Sequence, residues 1–80
     1  MELIVYSQSN CGYCTRLREF LVKNEVEFTE VNIHTSKEIY DEFSQLGGQA
    51  TPFIIKKVDG EIVSKVVGFN KEKILKELNL

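Results

Sequence analysis

Apolar and polar positions along the chain change period several times, and each change marks an element. Leu3 to Tyr6 is a short, β-rich apolar run that reads as a buried strand. Ser7 to Asn10 is polar and reads as a turn. From Cys11 the spacing becomes helical, with Cys14, Leu17, Phe20, Leu21 and then Asn24 at three- and four-residue steps. Phe28 to Ile33 favours a strand with Thr29, Val31 and Ile33 on one face. Thr35 and Glu38 form a T-x-x-E capping box, in which each side chain satisfies an orphan N–H at a helix start. Ile39, Tyr40, Phe43 and Leu46 supply that helix's apolar stripe. Gly47-Gly48 ends it, because glycine accepts the left-handed conformation at a helix stop. Pro52 opens a strand through Phe53, Ile54 and Ile55. Val58-Asp59-Gly60-Glu61 is a hairpin turn, since Asp-Gly tolerates positive φ, and Ile62 to Val67 returns as a strand. Gly68-Phe69-Asn70 leads into a last helix with Asn70 as N-cap and Ile74, Leu75 and Leu78 as its inner face.

The predicted order is β-α-β-α-β-β-α. The first β-α-β unit should be a right-handed parallel crossover, and the last two strands an antiparallel hairpin. The class is therefore α/β, with a mixed sheet covered by helices on both faces. Eighty residues suffice for one domain, residues 1–80, without linker or repeat. An apolar share of 42%, with five Phe and three Tyr, supports a small packed core rather than a disordered chain.

Charge narrows the partners. A formal net charge of −2 offers no basic face, so neither nucleic acid nor an anionic membrane is expected. The lysines near the C-terminus, as in Lys71-Glu72-Lys73 and Lys76-Glu77, alternate with acids and read as solvated faces. The start, Met1-Glu2-Leu3-Ile4-Val5-Tyr6, lacks the basic flank and apolar length of a signal peptide. No stretch approaches the roughly 20 apolar residues of a membrane span. The expectation is a cytoplasmic monomer. Two cysteines are too few for the disulfide framework of a small secreted domain.

Those two cysteines carry the chemistry. Cys11-Gly12-Tyr13-Cys14 follows a strand and opens a helix. A thiolate is the nucleophile in thiol–disulfide exchange, and a helix N-terminus stabilises it through free N–H groups and the positive end of the dipole. Two intervening residues place the second sulfur about one turn on, within reach of a disulfide. Cys11 should be the exposed attacking thiol. Cys14 is in phase with Leu17 and Leu21, so it should lie deeper and resolve the mixed disulfide. The same spacing is also half of a zinc site. A closed site wants four ligands, and the chain offers two Cys and one His, so an acid or a second copy would have to complete it. C-x-x-C beside a β-α-β pattern favours redox chemistry and no metal.

Thr51-Pro52 holds the only proline. Proline is the residue for which a cis peptide bond is cheap, although trans is the commoner state. A cis bond would turn the backbone toward the Cys11 loop, leaving the Thr51 N–H and carbonyl free to bind an extended substrate.

Together, strand Leu3–Tyr6, Cys11-Gly12-Tyr13-Cys14, Thr51-Pro52 and the turn at Gly68 resemble the glutaredoxin family of the thioredoxin fold, over nearly the whole chain. The resemblance implies a four-stranded mixed sheet flanked by three helices, a cis bond before Pro52, and Cys11 as nucleophile. It implies an electron carrier whose only redox group is the Cys11–Cys14 disulfide, without a bound cofactor. Protein disulfides would be its substrates, and a reductase or low-molecular-weight thiol its electron source. Two features depart from the family. Glutaredoxins often carry Pro at Gly12. They also carry Lys at Gln8, and Gly-Gly then Asp where this chain has Gly68-Phe69-Asn70, for holding glutathione. The Gly68-Phe69 segment is similar to the NrdH-redoxins, hydrogen donors to ribonucleotide reductase that draw on thioredoxin reductase. The alternatives within the family are a glutathione-dependent glutaredoxin acting in deglutathionylation, and a [2Fe–2S]-binding glutaredoxin, which Gly12 permits.

Candidate substrate contacts are Tyr13, Thr51, Pro52, Gly68 and Phe69. Tyr13 either shapes the groove beside Cys11 or is an exposed loop aromatic. Phe69 either walls that groove or packs the last helix. Tyr6 reads as a half-buried strand residue, Arg16 as a solvated helix charge, and His34 as a surface histidine.

Overall fold

In the computed structural model, which describes residues 1–78, seven elements follow in the predicted order. They are β1 (Glu2–Ser7), α1 (Gly12–Lys23), β2 (Thr29–Asn32), α2 (Lys37–Gln45), β3 (Phe53–Val58), β4 (Glu61–Val67) and α3 (Lys71–Leu78). The strands form one mixed sheet in the order β2-β1-β3-β4. β1 and β2 are parallel, while β1–β3 and β3–β4 are antiparallel. This is the thioredoxin-like architecture that the motifs implied. No described helix is long and apolar enough to cross a membrane.

Strand alternation divides the core in two. Leu3 and Val5 of β1 face one side, where they meet Leu17 and Leu21 of α1, Ile54, Val66 and Ile74 of α3. Tyr6 faces the other side with Phe53 and Ile55, under Phe43 of α2. Helices thus cover both faces. Leu17 and Leu21 are fully buried, so truncating either to Ala would cost about 2–5 kcal/mol.

The helix ends follow local chemistry. α2 is capped by Ser36, whose Oγ accepts from the Ile39 N–H at 3.2 Å, and not by the expected Thr35. The Thr35 N–H is bonded to the Asn32 carbonyl, which ties Thr35 into the preceding turn; the next hydroxyl takes the extended cap conformation. Gly47, at φ 95°, ends the helix as expected, with the Gly47 and Gly48 N–H groups closing onto the Ser44 and Phe43 carbonyls. Asn70 caps α3 through its Oδ1, which accepts from the Lys73 N–H at 3.1 Å. The hairpin turns at Asp59 and Gly60, both at positive φ. Three expected inward positions lie outside the core, the first being Leu75 of α3, which is half-buried and joins neither cluster. Thr29 is exposed on the edge strand β2, and Tyr40 is exposed on the shoulder of α2, stacked on His34.

Candidate active site

Strand register gathers three loops at one end of the sheet. Tyr6 of β1 pairs with Phe53 of β3, so the chain leaving β1 meets the chain entering β3. Phe53 also pairs with Val67 of β4, which brings Gly68 opposite Pro52. The Gly68 N–H donates to the Pro52 carbonyl at 2.7 Å, and Gly68 adopts φ 81°. The Thr51-Pro52 bond is cis. Cys11, Thr51, Pro52 and Gly68, separated by up to most of the chain, therefore share one locus.

Cys11 is the N-cap of α1. Its extended backbone, φ −105° and ψ 104°, points the side chain over the first turn, where Sγ accepts from the Cys14 N–H at 3.1 Å. Cys11 and Cys14 are joined as a disulfide across a Cα separation of 5.2 Å. The pair is asymmetric. Cys14 is 3% exposed in line with Leu17 and Leu21, while Cys11 is only partly buried. The Thr51 side also faces the outer sulfur. Its Oγ1 lies 3.6 Å and its carbonyl oxygen 3.8 Å from Cys11 Sγ, with the hydroxyl donating.

The remaining predicted contacts spread outward. Tyr13 is 59% exposed on the first turn of α1, beneath the Arg16 guanidinium at 5.4 Å from its ring centre. Arg16 is thus solvated and also stacked. Phe69 meets Phe20 of α1 edge-on at 5.9 Å and packs against the core cluster that holds Ile74 of α3, as expected of a residue packing the last helix; the open groove it lines with Phe20, Arg16 and Lys71 does not include Cys11. Tyr6 is not half-buried but 2% exposed, because it lies on the covered face between Phe43 and Phe53. Its hydroxyl donates to Glu42 of α2; burial, reinforced by that carboxylate, pushes the phenol well above its usual range.

Several neighbours of the site were not singled out as site residues from the sequence. Ser7, buried at the end of β1, donates its hydroxyl to Glu30 at 2.9 Å. Arg18 grips the same carboxylate through Nε at 2.7 Å and Nη2 at 2.5 Å. That Arg18 bond holds the Glu30 carboxyl below its ordinary range, against the opposing effect of partial burial and with help from Ser7. Arg18 and Gln8 line an open cleft of about 420 Å³ beside Cys11. Gln8 donates through Nε2 to Thr51 Oγ1 at 2.9 Å, and its Oε1 lies 3.2 Å from His34 Nε2. His34 is exposed, as expected, but its ring reaches the edge of the site. No periodicity links these residues, so only register reveals them. Among the described residues, no group of three or more His, Cys, Asp or Glu side chains is gathered where it could hold a metal ion.

A buried and an accessible sulfur, bridged at a helix start, form a two-electron couple that opens to a dithiol and closes again. The profile of the family described as Glutaredoxin matches residues 3–63. The chain is 35% identical over 52 residues to the glutaredoxin-like protein NrdH of Lactococcus lactis subsp. cremoris, covering 65% of this chain and 72% of that protein. Among solved structures it is similar to a mutant of the thioredoxin-like protein BC3987, with TM-score 0.80 and 29% identity over 98% of this chain and 95% of the other. It is also similar to the glutaredoxin grx-1 of Archaeoglobus fulgidus, with TM-score 0.78 and 25% identity over 99% of this chain and 87% of the other.

Proposed function

The chain belongs to the glutaredoxin family and is a thiol–disulfide oxidoreductase; from that premise we propose that it reduces protein disulfides by a dithiol cycle, with Cys11 attacking and Cys14 resolving. The Cys11 thiolate attacks one sulfur of a target disulfide, forming a mixed disulfide and expelling the other target sulfur as a thiolate. The Cys14 thiol, losing its proton, then attacks Cys11 Sγ and expels the second target thiolate. Two electrons pass to the target, which takes up two protons, and the Cys11–Cys14 disulfide remains for an external reductant to open.

The observation that carries this assignment is the asymmetry of the pair. Cys11 sits partly exposed at the helix start with the Cys14 N–H 3.1 Å from its sulfur, while Cys14 is buried beneath it. A thiolate at Cys11 would meet that N–H and the dipole. A target segment running past Cys11 would lie against Thr51 and Pro52, with Tyr13, Gly68 and Phe69 around it.

The electron source proposed is a thioredoxin reductase rather than glutathione, and ribonucleotide reductase is the target class proposed. Two departures support this: Gln8, bonded to Thr51, stands where a glutathione-binding Lys is expected, and Gly68-Phe69-Asn70 replaces Gly-Gly-Asp. The reading places the protein in the cytoplasm as a monomer, with no cofactor beyond the dithiol.

Cys11→Ser should abolish reduction of an insulin disulfide, and Cys14→Ser should accumulate mixed disulfides visible by mass spectrometry. Full activity in Cys11→Ser would overturn the assignment. A paired assay names the reductant: NADPH with thioredoxin reductase in one arm, and NADPH, glutathione and glutathione reductase in the other. Faster regeneration in the first arm is expected; faster regeneration in the second would make the protein a glutathione-dependent glutaredoxin.

A further inference from the structure

From outside its own helix, the Thr51 hydroxyl reaches Cys11 Sγ, and that hydroxyl is not free to point anywhere. A hydroxyl has one proton to give and two lone pairs to receive. Gln8 Nε2 donates into one lone pair at 2.9 Å. The proton is left for the sulfur, 3.6 Å away. Were the Gln8 amide reversed, its oxygen would face Thr51 and draw the hydroxyl proton away from Cys11. In the orientation observed, His34 Nε2 lies 3.2 Å from Gln8 Oε1, a contact that an Nε2–H imidazole makes by donating to the amide oxygen. His34 is itself held twice. Its backbone N–H donates to Asn32 Oδ1 at 2.8 Å, and its ring stacks on Tyr40 at 6.4 Å and 25°.

From this chain of contacts we infer that Gln8, oriented by His34, is a positioning residue that aims the Thr51 hydroxyl at the Cys11 sulfur and so stabilises its thiolate. The inference rests on the attacking role given to Cys11 above. Once the disulfide opens, the hydroxyl faces a thiolate, and a hydrogen bond to the charged form lowers the pKa of the group that accepts it. The relay supplies a second donor to Cys11, from outside its own helix, alongside the Cys14 N–H. It also gives the uncharged Gln8 a role at a position where the family resemblance leads one to expect Lys. Gln8, His34 and Thr51 lie in three different loops and meet only at this end of the sheet.

The test is the rate of iodoacetamide alkylation against pH on the reduced full chain, together with the reduction potential of each variant. Gln8→Leu removes the amide without adding charge, Thr51→Val removes the hydroxyl at constant shape, and Thr51→Ser keeps it. Thr51→Val and Gln8→Leu should each raise the Cys11 pKa by about half a unit, roughly a threefold loss of thiolate below the pKa. Both should become more strongly reducing, because the dithiol form loses stability. Thr51→Ser should titrate like the parent, and His34→Ala should shift in the same direction as Gln8→Leu by less. The double variant Gln8→Leu/Thr51→Val should match Thr51→Val alone. A parental titration in Gln8→Leu, or shifts that add in the double variant, overturns the relay while leaving Cys11 as nucleophile. A parent Cys11 that titrates as an ordinary thiol, or does not alkylate, overturns the dithiol cycle itself and the relay with it.

Discussion

Replacing Gly12 by proline should make the protein more stable, although proline inside a helix normally breaks it. Gly12 is the first helical residue after the cap Cys11, a place where the missing proline N–H has no intrahelical partner to lose and the fixed φ of proline suits the helix. Cys11, at φ −105° and ψ 104°, is already extended, close to the conformation that a residue before proline requires. A Cβ built on Gly12 meets nothing within 4 Å, and Gly12 is not among the residues at positive φ. A side chain at this position therefore starts in open space, on a backbone in the half of φ that proline takes. The gain comes from the unfolded chain, which loses the wide conformational freedom of glycine; it should be about 1 kcal/mol. For a chain of this size that is about 4–8 °C in melting temperature. Scanning calorimetry on the oxidised and the reduced protein would measure it. The rise should appear in both forms, because its origin is the helix start and not the disulfide. An unchanged or lowered melting temperature in either form would show that the Cys11 loop needs the freedom of glycine.

Glu25 takes φ 57° just past the end of α1, where its N–H and that of Val26 close onto Val22 and Leu21. Glu25→Gly relieves that left-handed strain and should raise the urea midpoint by the equivalent of about 0.5–1 kcal/mol; an unchanged midpoint would contradict the strain. Gly48→Ala should do the opposite, because its Cβ would run into the Phe43 ring, which is packed edge-on against Phe53. A loss of about 1–3 kcal/mol is expected by the same denaturation, with retained stability as the contrary result. The Glu30 carboxyl is held below its unfolded range by Arg18, so its share of stability is present above that range. It is lost as pH falls through the lowered folded value. Arg18 is half exposed, so the share is about 0.2–1 kcal/mol. Glu30→Gln should flatten this acid limb of a stability–pH curve, and an identical limb would exclude the pair as its source.

The Cys11-Gly12-Tyr13-Cys14 segment is legible because its chemistry is local. A cap, a helix phase and a sulfur-to-sulfur distance all depend on residues within one turn of each other, so accessible Cys11 and buried Cys14 follow from spacing. The hairpin at Asp59-Gly60 and the stop at Gly47 are local in the same sense. The α2 cap moved from Thr35 to Ser36 because a neighbouring turn claimed the Thr35 N–H, a competition that the capping motif does not contain. Tyr6 is more buried than its strand position implies for a related reason. Alternation shows that a strand residue faces one side, but whether a helix covers that side depends on where α2 docks.

The sequence alone determined the order of elements, the alternation of strand side chains and the redox pair, because hydrophobic period and residue spacing encode interactions that act over a few residues. Tertiary structure decided what surrounds the outer sulfur. Gln8 meets Thr51 across 43 residues, and Cys11 meets it across 40. The register of β1 against β3, with loop ends that lie side by side only once the sheet has formed, brings them together, and short-range spacing carries no record of that register.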